Sequence, residues 1–323
     1  MAEKNIILIL LSRSREILRE EGIKGFFQRF RRYYEEYPPL RYHLYYWVRS
    51  KLSRKKVIVR EVQGSRMYLN LNDFGLSKHL YFFGIREPEC TRIWKTMVKP
   101  GMTIVELGAN IGYYACMEAF LMKGKGKIYA IEPFPPNYEM LKKNIELNTY
   151  SPLVETFHLA ISNKSGKDKL FMSKEHNLVN MLQSESGDYV EIETATLDDF
   201  LVGKKQPDLI RMDIEGFEYY VLDGMKNTLQ SVESCAMFIE VHPFQMFEKG
   251  LDYKKPLRAL FDAGFYPSIA VKEFGPLKEV SYRFSGPVDE FFSFMKEKML
   301  TPPENTHGFG LFLEKKPKRK TKE

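Results

Sequence analysis

The stretch Ile104-Val-Glu-Leu-Gly-Ala-Asn-Ile-Gly112 constrains the fold more than any other part of the chain. A short apolar run follows the turn pair Pro100-Gly101 and carries an acid near its end. Glycines then follow in the spacing Glu-x-Gly-x-x-x-Gly. A run this short and this apolar reads as a buried parallel strand. Gly108 lets the backbone turn tightly, and Gly112 lets the next helix, Tyr113 to Met122, pack close to the sheet. A second apolar run, Lys127 to Ile131, also ends on an acid, Glu132, 24 residues beyond Gly108. Together they describe a nucleotide-type pocket at the tip of a parallel sheet.

The dinucleotide pattern Gly-x-Gly-x-x-Gly fails here. Counted from Gly108 it needs glycine at positions held by Asn110 and Tyr113. Glu132 can accept hydrogen bonds from two ribose hydroxyls, and Glu106 suits a ligand carrying an ammonium and a sulfonium. Both features favour S-adenosylmethionine over a dinucleotide.

Strands and helices alternate along the rest of the chain. Lys56–Val62 and Ser65–Leu71 flank Gly64 and read as a β-hairpin. Cys90 to Val98 reads as a helix, and a helix over Pro135 to Leu147 has proline near its start. Val154–Ile161 reads as a third strand. Pro207–Ile214 and Ala236–Val241 follow as further buried strands, with a helix through Tyr219 to Leu229 between them. Leu251–Ala263 is helical, and Phe265–Val271 and Phe309–Leu313 close the series. This alternation means a doubly wound α/β sheet, whose ligands bind at the carboxyl ends of the strands.

Four of five parallel strand ends carry an acid: Glu106, Glu132, Asp213 and Glu240. The third offers Ala160 and Ile161, a wall suited to a flat adenine ring. Asp213 arrives at the rim on the strand containing Leu209 and Ile210, and Gly216 permits a tight turn into the following helix. Glu218 sits in the first turn of that helix, where negative charge is favoured for capping alone. His242 lies two residues from Glu240 and titrates near neutral pH, which makes it a candidate general base. No two-histidine metal spacing occurs, and no metal is expected.

Charge is unevenly spread. Residues 1–60 carry a net +9 and residues 315–323 a net +5, leaving −7 on the body between them, which does not resemble a nucleic-acid groove. Residues 1–55 form a basic, aromatic extension expected to be helical. It suits either packing against the main body or a second subunit, or peripheral attachment to a membrane. Its apolar run Ile6–Leu11 is too short to span a bilayer, which takes about 20 residues. Residues 315–323 are expected to be a disordered basic tail. Cys90, Cys116 and Cys235 show no paired spacing, so a reducing, cytoplasmic setting is expected.

Six segments in order resemble one family: Val105–Tyr113, Ile131–Asn137, Leu141–Asn148, Ala195–Asp199, Asp208–Gly216 and Ile239–His242. They look like the FkbM family of S-adenosylmethionine-dependent methyltransferases, with Glu106 where aspartate is more usual. The resemblance covers about residues 60 to 315, so the methyltransferase domain is expected over 56–314. It implies a class I, Rossmann-like methyltransferase fold of seven strands, the last antiparallel. It also implies O-methylation of a hydroxyl, commonly on a sugar of a glycan or glycolipid or on a natural product. On this reading Glu106, Gly108, Asn110, Gly112, Glu132, Ala160 and Asp213 bind the cofactor. Asp213, Glu240 and His242 are the candidates for catalysis, with one of them as base for the acceptor hydroxyl. An NAD-dependent oxidoreductase and a non-catalytic binding module are the competing readings. No nucleic-acid partner is expected.

Overall fold

A computed structural model describes residues 40–172, 179–180, 189–275, 277–299 and 308–317. Most of the N-terminal extension, the end of the basic tail and most of the segment His176 to Gln183, whose polar residues could meet a substrate, lie outside the described residues.

Helix α1 (Leu40–Leu52) leads into the hairpin β1 (Val57–Val62) and β2 (Ser65–Asn70). Helices α2 (Leu76–Phe83) and α3 (Pro88–Met97) follow. Then the alternating unit begins: β3 (Thr103–Leu107), α4 (Tyr113–Met122), β4 (Lys127–Ile131), α5 (Pro135–Leu147) and β5 (Val154–Phe157). A smaller sheet follows, built from β6 (Ala160–Ile161), β7 (Gly166–Met172), β8 (Val179–Asn180) and β9 (Tyr189–Ala195). The chain then returns through α6 (Leu197–Phe200) to β10 (Leu209–Met212), α7 (Glu218–Asp223), α8 (Lys226–Ser231) and β11 (Cys235–Val241). Helices α9 (Pro243–Glu248) and α10 (Lys254–Asp262), strands β12 (Tyr266–Gly275) and β13 (Lys278–Arg283), helix α11 (Phe291–Lys298) and strand β14 (Phe309–Lys315) complete it.

The main sheet has the order β13-β12-β14-β11-β10-β3-β4-β5. The five strands β11 to β5 are parallel, and β14 runs antiparallel to both β11 and β12. β3 and β10 are buried at every position, which is why their sequences are apolar runs rather than alternations. Their side chains nevertheless part to two faces. Val105, Leu107, Ile210 and Met212 join Met237 and Ile239 on one side; Ile104, Ile128 and Phe238 join Trp94 and helix α4 on the other. This is the class I methyltransferase arrangement, and it brings the carboxyl ends of β3, β4, β10 and β11 to one edge.

Three expectations need correction. The run 154–161 is not one strand: β5 pairs with β4, whereas β6 pairs with β9 in the second sheet. Between them His158 meets the carbonyl of Pro133 at 3.0 Å and stacks on Tyr138. The helix read over 219–229 is two helices, parted at Gly224, whose Cα lies so close to the backbone of Ser162 that a Cβ would sit 2.1 Å from its carbonyl oxygen. The sheet also has eight strands rather than seven, because β13 extends it as a hairpin with β12. Strand β13 in turn caps α3: its Glu279 carboxylate accepts the backbone N–H groups of Glu89 and Cys90 at 2.6 and 3.2 Å.

Candidate active site

The loop after β3 is pinned at both ends. The N–H groups of Gly108 and Ala109 donate to the carbonyl of Ile131 at 3.0 and 2.9 Å. Glu132, one residue further on, accepts the N–H of Asn110 on one carboxylate oxygen and that of Phe134 on the other, at 2.8 and 2.9 Å. Gly108 has φ +84, and a Cβ there would lie 2.1 Å from the carbonyl oxygen of Asp213. Only glycine allows the β3 loop to press so closely on the end of β10. Burial pushes the Glu132 carboxyl up to about 7, although its two backbone donors oppose the shift.

Asp213, Glu240 and His242 come together as expected from their strand ends. Oxygens of Glu87, Asp213 and Glu240 lie within 4.8 Å of one another, as do ligand-type atoms of Asp213, Glu215 and His242. His242 is oriented by Glu218: Nδ1 stands 2.8 Å from Oε1 of that buried carboxylate, which also accepts the N–H of Gly216 at 3.0 Å. Nε2 then faces Glu215 and Glu240, each at 3.6 Å. Burial by itself would lower the imidazolium pKa; the carboxylates of Glu218, Glu240 and Glu215 outweigh it and hold it well above the ordinary histidine value. Burial and the neighbouring Asp213 push the Glu240 carboxyl well above the usual range.

Arg211, Arg86 and Glu87 are the site residues that sequence reasoning missed. Arg211 is buried on β10, with its guanidinium 3.6 Å from the centre of the Tyr114 ring and 3.2 Å from Glu87, 3.5 Å from Asp213 and 4.0 Å from Glu106. A lone arginine in the apolar run Leu209–Met212 was the available signal, since a buried charge requires partners. Glu87 had no such signal. It precedes α3 at φ +46, pairs with Arg86, and accepts the Tyr114 hydroxyl at 2.8 Å. Burial would raise its carboxyl, but Arg86 and Arg211 bring it down to about 2. Glu87, Asn110 and Glu215 are three of the six non-glycine residues with left-handed backbone among those described. Strained backbone gathers at functional sites, and half of it borders this one.

The remaining candidates fall in different places. Gly112, at φ +90, starts α4 and packs on Leu141. Glu106 is fully buried behind the loop; no donor meets either of its oxygens in hydrogen-bond geometry among the described residues. Burial and the adjoining Glu118 carboxyl raise its pKa well above the usual range. Glu118 is itself held by the Trp94 indole N–H at 2.7 Å. Ala160 is buried in the small sheet with Leu170 and Ile192, and Phe134, two residues after Glu132, packs against them.

Residues 106–268 match the family model of the methyltransferase FkbM domain. The hexuronic acid methyltransferase AglP of Haloferax volcanii is 28% identical over 163 residues, covering 49% of this chain and 61% of that protein, under two thirds of its length. The 2-O-methyltransferase NoeI of Sinorhizobium fredii is 28% identical over 206 residues, 55% of this chain and 79% of that protein. Among solved structures, the methyltransferase FkbM of Methylobacillus flagellatus KT has 16% identity and a TM-score of 0.41, over 73% of this chain and 53% of that one.

Proposed function

The chain belongs to the FkbM methyltransferase family, whose methyl donor is S-adenosylmethionine, and from that premise we propose that it methylates a hydroxyl of a sugar in a glycan or glycolipid. One observation carries the reading: Asp213, Glu240 and His242 converge beside the Gly108 loop, where Glu87, Glu215 and Glu218 join them. The names of the two relatives support the reading: one is a hexuronic acid methyltransferase, which favours a sugar acceptor, and one a 2-O-methyltransferase, which favours transfer to oxygen.

The residues present fit the donor. Five carboxyl groups, those of Glu87, Asp213, Glu215, Glu218 and Glu240, face three cations, Arg86, Arg211 and His242, so the site holds more acids than cations to meet a sulfonium and an ammonium. Glu240 Oε2 and Gln245 Oε1 are buried acceptors with no donor among the described residues. Glu132 would hold the ribose hydroxyls, Gly108 and Asn110 would shape the loop against the donor, and Asp213 would face its charged end. When bound, S-adenosylmethionine supplies a methyl carbon with a neutral thioether as leaving group.

The chain's own residues position the acceptor and take its proton. The O–H bond breaks as the new O–CH3 bond forms, and the proton needs a base within reach. His242, raised toward the imidazolium form by three carboxylates, is the weaker candidate for taking the proton. The acceptor role therefore passes to Glu240, whose raised pKa makes it the more effective carboxylate base near neutrality. Asp213 orients the hydroxyl, the His242 imidazolium opposes the rise in the Glu240 pKa, and Glu218 positions His242.

The reading is tested by mass spectrometry of uronic-acid and neutral oligosaccharides, and of hydroxylated small molecules, after incubation with methyl-labelled donor. A single added methyl on a sugar hydroxyl, lost in Glu240→Gln, is the expected result. Methylation confined to non-sugar hydroxyls, or unaltered turnover in the variant, would overturn the corresponding half of the reading.

A further inference from the structure

Helix α1 is fixed to the domain by one face only. Tyr46 is fully buried, its ring 5.4 to 5.9 Å from those of Phe74, Tyr81 and Phe82, and its hydroxyl reaches the carbonyls of Asn70 and Asp73 at 3.1 Å. Ser50, one turn on, is buried as well. The opposite face is apolar yet open: Trp47, Val48 and Leu52 are 50%, 37% and 78% exposed, while Tyr45 at its edge packs on Tyr81 and Phe82. A spacing of four residues places Val48 and Leu52 in one stripe. Strand β1, five residues after α1, adds the exposed Val57 and Val59, and the described residues pair it only with β2.

The same surface is strongly cationic. Residues 49–62 hold six lysines or arginines against one acid, Glu61, and Lys51, Arg54 and Lys55 are exposed. A second copy pairing along β1 would set like charges against one another. Nucleic acid would meet the cations and could stack a base on Trp47, but it would leave the aliphatic Val48, Leu52, Val57 and Val59 without an apolar partner. An anionic lipid bilayer satisfies both halves: aliphatic and aromatic side chains enter the headgroup boundary while lysine and arginine heads meet lipid phosphates.

We propose that the outer face of α1 together with β1 docks this protein on an anionic bilayer. Phe82, against which α1 packs, lies five residues before Glu87, a span of at most about 18 Å of chain. Docking would thus hold the carboxylate site near the headgroup layer. The inference stands whatever the acceptor proves to be.

Vesicle sedimentation of the full chain, without cofactor, tests it. Vesicles of pure phosphatidylcholine are compared with vesicles containing a third phosphatidylglycerol. The wild type is expected to pellet with the anionic vesicles only, and to be released as ionic strength is raised. Arg54→Glu/Lys55→Glu and Trp47→Ala/Leu52→Ala should each weaken binding about tenfold or more, with unfolding transitions checked to show that both variants fold. Equal binding by wild type and both variants would place any lipid contact elsewhere and overturn the proposal. So would recovery in the supernatant at low salt, equal pelleting with neutral vesicles, or a patch-dependent dimer in place of vesicle binding.

Discussion

Replacing Glu132 by glutamine should change the pH dependence of stability by a calculable amount. Burial lifts this carboxyl from 4.5 to about 7 in the folded protein. A carboxyl whose folded pKa is raised favours folding fully below pH 4.5 and loses that contribution as pH climbs through 7. The complete loss is about 3 kcal/mol, and about 2 kcal/mol of it falls between pH 5.5 and 8.5. Glutamine cannot titrate, so this slope disappears in the variant. It also sets an amide NH2 against one of the two N–H donors, of Asn110 or Phe134, which costs about 1–3 kcal/mol at every pH. The stability of Glu132→Gln relative to wild type should therefore rise by about 2 kcal/mol from pH 5.5 to pH 8.5. Urea unfolding followed by circular dichroism at both pH values measures the gap directly. A gap that stays constant to within about 0.5 kcal/mol would show that Glu132 does not titrate in this range, and the assignment of its environment would fail.

Gly108→Ala should abolish measurable cofactor binding in calorimetry, because its Cβ would overlap the Asp213 carbonyl oxygen and φ +84 disfavours alanine; a Kd within twofold of wild type would contradict this. Arg211→Met should destabilise by about 3–5 kcal/mol in chemical denaturation, since Glu87, Glu106 and Asp213 lose their shared buried cation. An effect below about 1 kcal/mol would mean that the carboxylates are already neutral. Glu218→Gln removes the carboxylate nearest His242, so the imidazolium should lose its proton at lower pH. The alkaline limb of the kcat profile should move down the pH scale, whereas a purely structural Glu218 would lower stability and leave the limb in place.

Much of the fold was legible because it depends on local rules. The β3 and β10 runs are largely apolar, and their ends are marked by Gly108 and by Gly216. Helix α5 has Pro135 in its first turn, and Thr196 accepts the N–H of Asp199 at the start of α6, as a threonine placed just before a helix does. The break between β5 and β6 was not legible, because an apolar run does not state which sheet each half will join. Strand β13 was missed because Lys278–Arg283 is polar at most positions, and its place at the sheet edge is set by β12 and by the α3 terminus it caps.

The sequence by itself determined the parallel strands, their glycine turns, the acids at their ends and, through these, a pocket for a cationic methyl donor. Only the tertiary structure decided how those acids differ. Glu106 and Glu132 both sit at strand ends, yet one is sealed beside Glu118 and the other holds the loop that glycine permits. Glu87 enters from a segment far from the motifs, and Arg211 turns a row of carboxylates into a network. Spacing along a chain fixes which side chains share an edge. Protonation depends on distances of a few ångströms and on exclusion of water, and both arise only when the elements pack.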